Sequence, residues 1–178
     1  MAVIGIMSAM HEELAAVLAS MPGEQRVQVA GRDFWVGHWQ GHAVVAVLSR
    51  IGKVAAATTA TVLLERFQVD TLVFTGVAGG MGSGVRVGDV VVANGFVQHD
   101  MDASPLFPRH EVPLYGRARF ETDTSLSAQL TKAAQQVLAQ AAYHLGAGTL
   151  AEFHLDSPQV HQGLVVSGDR FVATSTES

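Results

Sequence analysis

The sequence predicts an α/β fold built around a mixed β-sheet. Short, unbroken apolar runs alternate with stretches of helical period, and three strand-like runs follow one another directly after the first helix. The chain has 178 residues, 48% of them hydrophobic and 15% charged, a composition typical of a globular protein with a substantial core. No repeat or linker divides it, so we expect a single domain over residues 1–178.

The first part of the chain predicts four strands and two helices. The run "AVIGIM" is typical of a buried strand, and Ser8 is a candidate cap for the helix in "MHEELAAVLASM", which Pro22 and Gly23 end. The stretch "RVQVAGRDFWVGHWQGHAVVAVLS" predicts a meander of three strands, and "KVAAATTATVLLERF" predicts the second helix.

The second part predicts two further buried strands, in "TLVFTGVAGG" and "GDVVVANGFVQHD". Residues 103–116 contain three of the five prolines, which indicates a long ordered loop. The stretch "TDTSLSAQLTKAAQQVLAQAAYHLG" predicts one helix that ends at Gly146. We expect an irregular segment or a short strand after it, and then a closing strand in "GLVVSGD".

Composition excludes several classes of function. The net charge is −5 without a basic cluster, so nucleic acid and acidic membrane surfaces are poor partners. The absence of cysteine excludes disulfides, thiolate nucleophiles and Cys-bound zinc. The N-terminus has no basic region of a signal peptide, and the apolar runs are too short to span a bilayer. A cytoplasmic enzyme or binding protein is therefore expected. No cofactor is predicted.

Two motifs are candidates for chemistry. Glycines in "FTGVAGGMGSG" follow a strand and would let the backbone approach a ligand, or they serve a turn that needs positive φ. Glu12 and Glu13 follow the first strand, where the helix dipole favours carboxylates. Adjacent helical residues diverge by about 100°, so only one of the two carboxylates can face a site as a base.

Two weaker signals remain. His99, Asp100 and Asp102 carry metal-ligand chemistry, but no second histidine has the matching spacing, so hydrogen bonding at a strand end is the favoured interpretation and no metal site is predicted. Phe171, after the closing strand, belongs either to the core or to a binding site.

Taken in order, "IGIMSAMHEEL", "SRIGKVAAATTATVLLE", "FTGVAGG", "VGDVVVA", "QHDMDASPLF" and "GLVVSGDRFV" resemble the 5′-methylthioadenosine/S-adenosylhomocysteine nucleosidases of the nucleoside phosphorylase-like superfamily. The resemblance covers nearly the whole chain. It implies a three-layer α/β/α sandwich and a homodimer. It also implies hydrolysis of the N-glycosidic bond of a purine thionucleoside, which releases adenine.

The same resemblance implies the site residues. Glu13 corresponds to the carboxylate that activates water, with His11 in place of an acidic residue before it. Met10 corresponds to the floor below the ribose, Ile51 to a wall of the 5′-alkylthio pocket, and Ala78 with Gly79 to the backbone that lines sugar and purine. Phe107 corresponds to a contact with the partner's 5′ pocket. Phe171 corresponds to the residue that stacks on adenine, and the Val172 backbone to the groups that recognise the edge of the base.

Charge favours hydrolysis over phosphorolysis, because a glutamate beside the ribose repels a phosphate dianion but can orient or deprotonate water. Arg50 departs from the family's small residue and would restore some affinity for anions. Val77 stands where some members have serine, so a hydrogen bond is lost.

The family continues past the last strand found here, into segments that carry a ribose-binding glutamate and a purine-protonating aspartate. We therefore expect an incomplete C-terminal part and little or no turnover by the 178 residues alone. The alternatives are a related nucleosidase of the futalosine type, a purine nucleoside phosphorylase, and a non-catalytic nucleoside-binding protein.

Overall fold

The computed structural model describes residues 2–155 and 157–170, and the chain forms two compact units, residues 1–78 and residues 79–178. The single domain expected over residues 1–178 stays a prediction. Among the described residues, no helix has both the length and the apolar character that a membrane span requires.

The first unit contains a five-stranded mixed sheet in the order β2-β3-β4-β1-β5. Strand β1 runs parallel to both β4 and β5, whereas β2, β3 and β4 form the predicted antiparallel meander. The elements are β1 (Val3–Ser8), α1 (His11–Ala19), β2 (Gln25–Val29), β3 (Arg32–Trp39), β4 (His42–Leu48), α2 (Lys53–Phe67) and β5 (Thr71–Phe74).

The two helices of this unit cover opposite faces of the sheet. Alternate residues of β1 divide between two buried clusters, since Met7 packs with Leu63 of α2 and Ile6 packs with Leu14 of α1. The α/β class and its mixed sheet are therefore confirmed, and this unit by itself has three layers.

Helix α2 approaches the sheet closely at Gly5. A side chain there would place its Cβ 2.9 Å from Val69 Cγ1 and 3.3 Å from Leu63 Cδ1. Both neighbours belong to the buried core, with exposures of 6% and 0%. A larger residue at this position would require Val69, and to a lesser extent Leu63, to move within a packed core, so glycine is favoured there.

The assignment of Ser8 as a helix cap is wrong. Ser8 is the last residue of β1 and is fully buried, and its hydroxyl has no hydrogen-bond partner among residues 2–155 and 157–170. The N-cap of α1 is Met10, whose N–H donates to Glu13. The buried pairing of β1 with its neighbours holds Ser8 in the strand.

The second unit contains a three-stranded sheet in the order β7-β6-β8, with β6 antiparallel to β7 and parallel to β8. A bulge at Asn94 shifts the β6–β8 register. The elements are β6 (Val90–Gln98), β7 (Arg119–Glu121), α3 (Thr124–Leu138), α4 (Ala141–Glu152) and β8 (Val160–Ser167).

The single helix predicted up to Gly146 is wrong. The helical backbone stops at Leu138 and starts again at Ala141, and α4 continues to Glu152 through residues expected to be irregular. Gly146, with a non-helical φ of 78°, kinks α4, so a helical segment does end there as predicted, but it is the segment that starts at Ala141. The proline-rich residues 103–116 form a loop as predicted, with one bridge from Val112 to Arg117. Strand β7 was not predicted.

A buried carboxylate joins β6 to β8 in the second unit. The Asp89 side chain is 1% exposed. It accepts hydrogen bonds from the N–H groups of Gln159 at 2.8 Å and Arg86 at 2.9 Å, and its Oδ2 lies 2.9 Å from His161 Nε2. These partners, the Gln159 N–H foremost, lower the pKa of Asp89 to about 2.

Candidate active site

Three parallel strands of the first unit end at the same edge of its sheet. Ser8 pairs with Leu48 and Met7 with Phe74, so the connections after β1, β4 and β5 leave the sheet together. Open α/β sheets bind ligands at the carboxyl ends of such strands. The predicted Met10, Glu13, Ile51 and Ala78 all belong to these three connections.

Glu13 ties two of these connections to each other. Its Oε2 accepts the N–H groups of Ala9 and Met10, both at 2.9 Å, and its Oε1 accepts the N–H of Val77 at 2.8 Å. The first two bonds satisfy backbone donors at the start of α1, as a glutamate at the third helical position commonly does. The third bond reaches the segment after β5.

These three hydrogen bonds leave the Glu13 carboxylate able to accept about one more. An ionised carboxylate has about four acceptor positions. Three are taken by backbone N–H groups, so about one remains for a water or a substrate hydroxyl. Glu13 is half-buried whereas Glu12 is exposed, so Glu13 is the carboxylate of the pair that turns towards the strand ends.

Gly76 makes room for the Glu13 carboxylate. A Cβ at Gly76 would lie 2.8 Å from Glu13 Oε1 and 3.0 Å from its Cδ. Gly76 therefore allows the close approach of the Glu13 side chain, and the glycines of "FTGVAGG" do not have positive φ, so the interpretation as a turn that needs positive φ is wrong. Sequence reasoning missed Gly76 and the Val77 N–H, because they contact Glu13 only through the β1–β5 pairing.

The other predicted residues of the first unit are accessible. Met10 is 38% exposed and Ile51 is 72% exposed, and Ala78 is also exposed. Large apolar side chains left open at a sheet edge are available for contact with an apolar ligand. Their assigned roles stay predictions.

The second unit holds two further predicted residues. A Cβ at Gly79 would meet no atom within 4 Å, so packing does not demand glycine there. Phe107 is half-buried in the loop of residues 103–116, and its N–H donates to the Ala103 carbonyl at 3.2 Å. Phe171 and Val172 lie outside the described residues.

The His99, Asp100 and Asp102 motif makes local hydrogen bonds. Asp100 Oδ2 accepts the N–H of Asp169 at 2.9 Å. Asp102 accepts the hydroxyl and the N–H of Ser104, and these two bonds lower its pKa. Among the described residues, no three histidine, aspartate or glutamate side chains are grouped as a metal ion would need. The motif therefore has the partners of a structural strand end.

Comparison with known proteins defines the class. The family model described as the phosphorylase superfamily matches residues 3–178, and the chain belongs to this superfamily.

The relatives within it are more specific. The chain is 45% identical over 101 residues to the 5′-methylthioadenosine/S-adenosylhomocysteine nucleosidase of Oceanobacillus iheyensis. The aligned region covers 57% of this chain and 44% of that protein. It is 33% identical over 177 residues to the enzyme of the same name from Psychromonas ingrahamii, with 98% and 68% covered. These names confirm the resemblance to this nucleosidase family.

A solved structure of a nucleosidase from the same family also has a fold similar to that of this chain. The Neisseria meningitidis nucleosidase of the same name, in complex with methylthio-immucillin-A, superposes with a TM-score of 0.82 at 30% identity, covering 99% of this chain and 68% of that one. The chain spans 44% and 59% of the length of two relatives that it matches.

Proposed function

We propose that the site at this sheet edge hydrolyses the N-glycosidic bond of 5′-methylthioadenosine and S-adenosylhomocysteine. The observation that carries the proposal is the Glu13 carboxylate, which three backbone N–H groups hold with about one acceptor position to spare. The names of the relatives, which are nucleosidases for these two substrates, support it.

In the proposed reaction, Glu13 accepts a proton from water as the water oxygen bonds to C1′ of the ribose. The C1′–N9 bond breaks and its electron pair leaves with adenine, which takes up a proton from solvent water, and Glu13 then returns its proton to solvent. A positioned general base typically contributes about 10²–10⁴-fold to such a step. Fixed backbone donors keep the carboxylate in place, so little reorganisation is needed during the reaction.

Hydrolysis is favoured over phosphorolysis by charge. A phosphate dianion in the position of the attacking water would face the Glu13 carboxylate, and like charges at that range repel. The phosphorylase alternative has one observation in its favour, since Arg50 precedes Ile51 at the same sheet edge.

The remaining contacts of the substrate are proposed from the family resemblance. Met10 lies below the ribose, Ile51 borders the 5′-alkylthio group, and Ala78 with Gly79 lines the sugar and the purine. Phe171 stacks on adenine, and the Val172 backbone reads the edge of the base. Phe107 contacts the 5′ pocket of the second subunit in a homodimer. The enzyme is proposed to work in the cytoplasm, without a cofactor.

The test is adenine release from 5′-methylthioadenosine, with and without phosphate, at protein concentrations high enough to detect weak turnover. We expect release that is independent of phosphate and yields the free thioribose. Glu13→Gln should lower the rate about 10²–10⁴-fold. The matched control is Glu12→Gln, which changes the adjacent exposed carboxylate and should keep the parent rate.

The other outcomes separate the alternatives. Release that requires phosphate and yields a sugar phosphate would identify a phosphorylase. Faster turnover of futalosine than of either thionucleoside would identify the related nucleosidase. Binding of adenosine analogues without any turnover would favour a nucleoside-binding protein. If Glu13→Gln turns over at the parent rate, Glu13 is not the base.

A further inference from the structure

Two buried serines lie at the carboxyl ends of β1 and β4. Ser8 is the last residue of β1, Ser49 directly follows β4, and both are 0% exposed. The Ser8 hydroxyl has no hydrogen-bond partner within residues 2–155 and 157–170. The Ser49 hydroxyl, by contrast, lies 3.1 Å from the Ser8 carbonyl oxygen and 3.0 Å from the Arg50 carbonyl oxygen. The two serines are equally buried, and it is the Ser49 hydroxyl that joins the two strand ends.

Ser49 makes two hydrogen bonds to the Ser8 carbonyl. Its N–H donates at 2.8 Å and its hydroxyl at 3.1 Å, so both lone pairs of this oxygen are occupied. The single hydroxyl proton is shared with the carbonyl of Arg50, a residue with a left-handed φ of 69°. Because Ser49 is fully buried, solvent does not reach this hydroxyl to replace a lost bond.

The peptide group between Ser8 and Ala9 links these bonds to Glu13. Its carbonyl accepts the two donors of Ser49, and its N–H donates to Glu13 Oε2 at 2.9 Å. A peptide group is planar, so fixing its carbonyl also fixes the direction of its N–H. Donation to the carbonyl also polarises the group, which strengthens the bond from its N–H by about 10–30%.

The next peptide group provides an internal comparison. The Met10 N–H donates to the same Oε2 at 2.9 Å. The carbonyl of that group belongs to Ala9, whereas the hydrogen bonds from Ser49 go to the carbonyls of Ser8 and Arg50. The Ala9 bond to Glu13 should therefore depend on the Ser49 hydroxyl more strongly than the Met10 bond does.

We propose that Ser49 is a positioning residue for the Glu13 carboxylate and acts through the peptide group between Ser8 and Ala9. The proposal rests on the proposed function and adds to it a residue whose hydrogen bonds go to backbone carbonyls and not to Glu13 itself. Through Ser49, the orientation of the base depends on the end of β4 as well as on the end of β1.

The test measures, by NMR, the scalar coupling across the hydrogen bond between the Ala9 nitrogen and the Glu13 side-chain carboxyl carbon, together with steady-state adenine release. Ser49→Ala should weaken this coupling more than the matching coupling from the Met10 nitrogen. It should also lower kcat about 3- to 10-fold and change KM less than about twofold, because the base acts on water. Ser49→Cys has nearly the same size with a weaker donor, so its coupling and rate should fall between those of the parent and Ser49→Ala.

Two controls remove other hydroxyls. Ser8→Ala removes an equally buried hydroxyl and keeps the backbone carbonyl that Ser49 contacts, so the coupling from Ala9 should keep its parent value. Ser127→Ala, in the second unit, removes a hydroxyl that donates to the Ala93 carbonyl at 3.2 Å, and it should change neither the coupling nor kcat. Thermal unfolding of the same preparations shows that the variants are folded.

Three outcomes would overturn the inference. The first is an Ala9–Glu13 coupling that is absent from the parent or unchanged in Ser49→Ala, whether or not the rate falls. The second is an equal loss of coupling in Ser8→Ala, since any buried hydroxyl would then have the same effect. The third is a weakened coupling with the parent kcat, which would show that this contact does not limit turnover. If the parent releases no adenine, the proposed function fails, and the coupling still decides whether Ser49 positions Glu13.

Discussion

Replacing Gly76 by alanine should displace the Glu13 carboxylate. The new Cβ would lie 2.8 Å from Oε1 and 3.2 Å from Oε2, whereas ordinary contact begins at 3.4 Å. We therefore expect the carboxylate to withdraw by about 0.6 Å, because its two oxygens belong to one rigid group and the bond from the Thr75 N–H to the Met7 carbonyl holds the backbone next to Gly76.

That movement is large on the scale of catalysis. It lengthens the 2.8 Å bond from the Val77 N–H and moves the remaining acceptor position away from the proposed water. A misplacement of about 1 Å can cost about 100-fold in rate, so we expect Gly76→Ala to lower adenine release about 10- to 100-fold. Val77 is exposed, so water can replace the lost bond, and stability should change little.

The assay measures initial rates of adenine release and thermal unfolding on the same preparations. The control is Gly148→Ala in α4, where a Cβ meets nothing within 4 Å and alanine favours the helix. Its rate should equal that of the parent. A folded Gly76→Ala protein with the parent rate would refute the argument that the position of Glu13 limits turnover.

Two further predictions concern stability. Leu63→Ala should lower the free energy of unfolding by about 2–5 kcal/mol, because Leu63 is 0% exposed in the core. The control is Leu64→Ala on the same helix, which should cost less than about 1 kcal/mol because Leu64 is 51% exposed. Urea unfolding measures both variants, and similar losses would contradict the assignment of Leu63 to the core. Asp89 has a lowered pKa of about 2, so its contribution should be fully present above the unfolded value of about 3.9 and be lost as the pH falls through about 2. The difference in stability between the parent and Asp89→Asn should therefore shrink as the pH falls below 4, and a difference that grows in that range would have the wrong sign.

Local sequence pattern predicted much of the first unit. Helix α2 has the predicted bounds, Lys53–Phe67, because its run of helix-forming residues is preceded by Gly52 and followed by Gln68 in the left-handed conformation. Strands β1 to β4 also appear where apolar runs and turn residues placed them. These elements depend on contacts with neighbours in the chain and on simple burial, both of which a sequence displays.

The failures have physical causes too. The break after Leu138 falls in "AQAA", residues that favour a helix, so only contacts beyond the local sequence end α3 there. Gly146 was assigned to a helix end because glycine favours positive φ, and its φ of 78° does interrupt the helix, although a second helical segment then continues to Glu152.

The candidate site also combines features that the local sequence indicates with features that depend on contacts made only in the folded chain. The residues alone left Glu12 and Glu13 as alternatives, and the family resemblance selected Glu13, which the structure places at the third helical position of α1 with its carboxylate on backbone donors. Its bond to the Val77 N–H depends on which strand lies beside β1, and the sequence does not display that pairing. The conformation of Arg50 is likewise a property of the folded backbone.

The close packing of Leu63 and Val69 against Gly5 of β1 has a consequence for the 5′ groups that the proposed site would accept. Leu63 and Val69 fill the space beside Gly5, so α2 cannot slide closer to the strand. The connection that carries Ile51 leads directly into this helix, and a fixed helix gives that connection a fixed starting point. If Ile51 borders the 5′ group as proposed, it would act as a rigid rim that limits the width of that group and leaves its length free. Branching next to the sulfur should be penalised sharply, whereas extension of a linear chain should be tolerated.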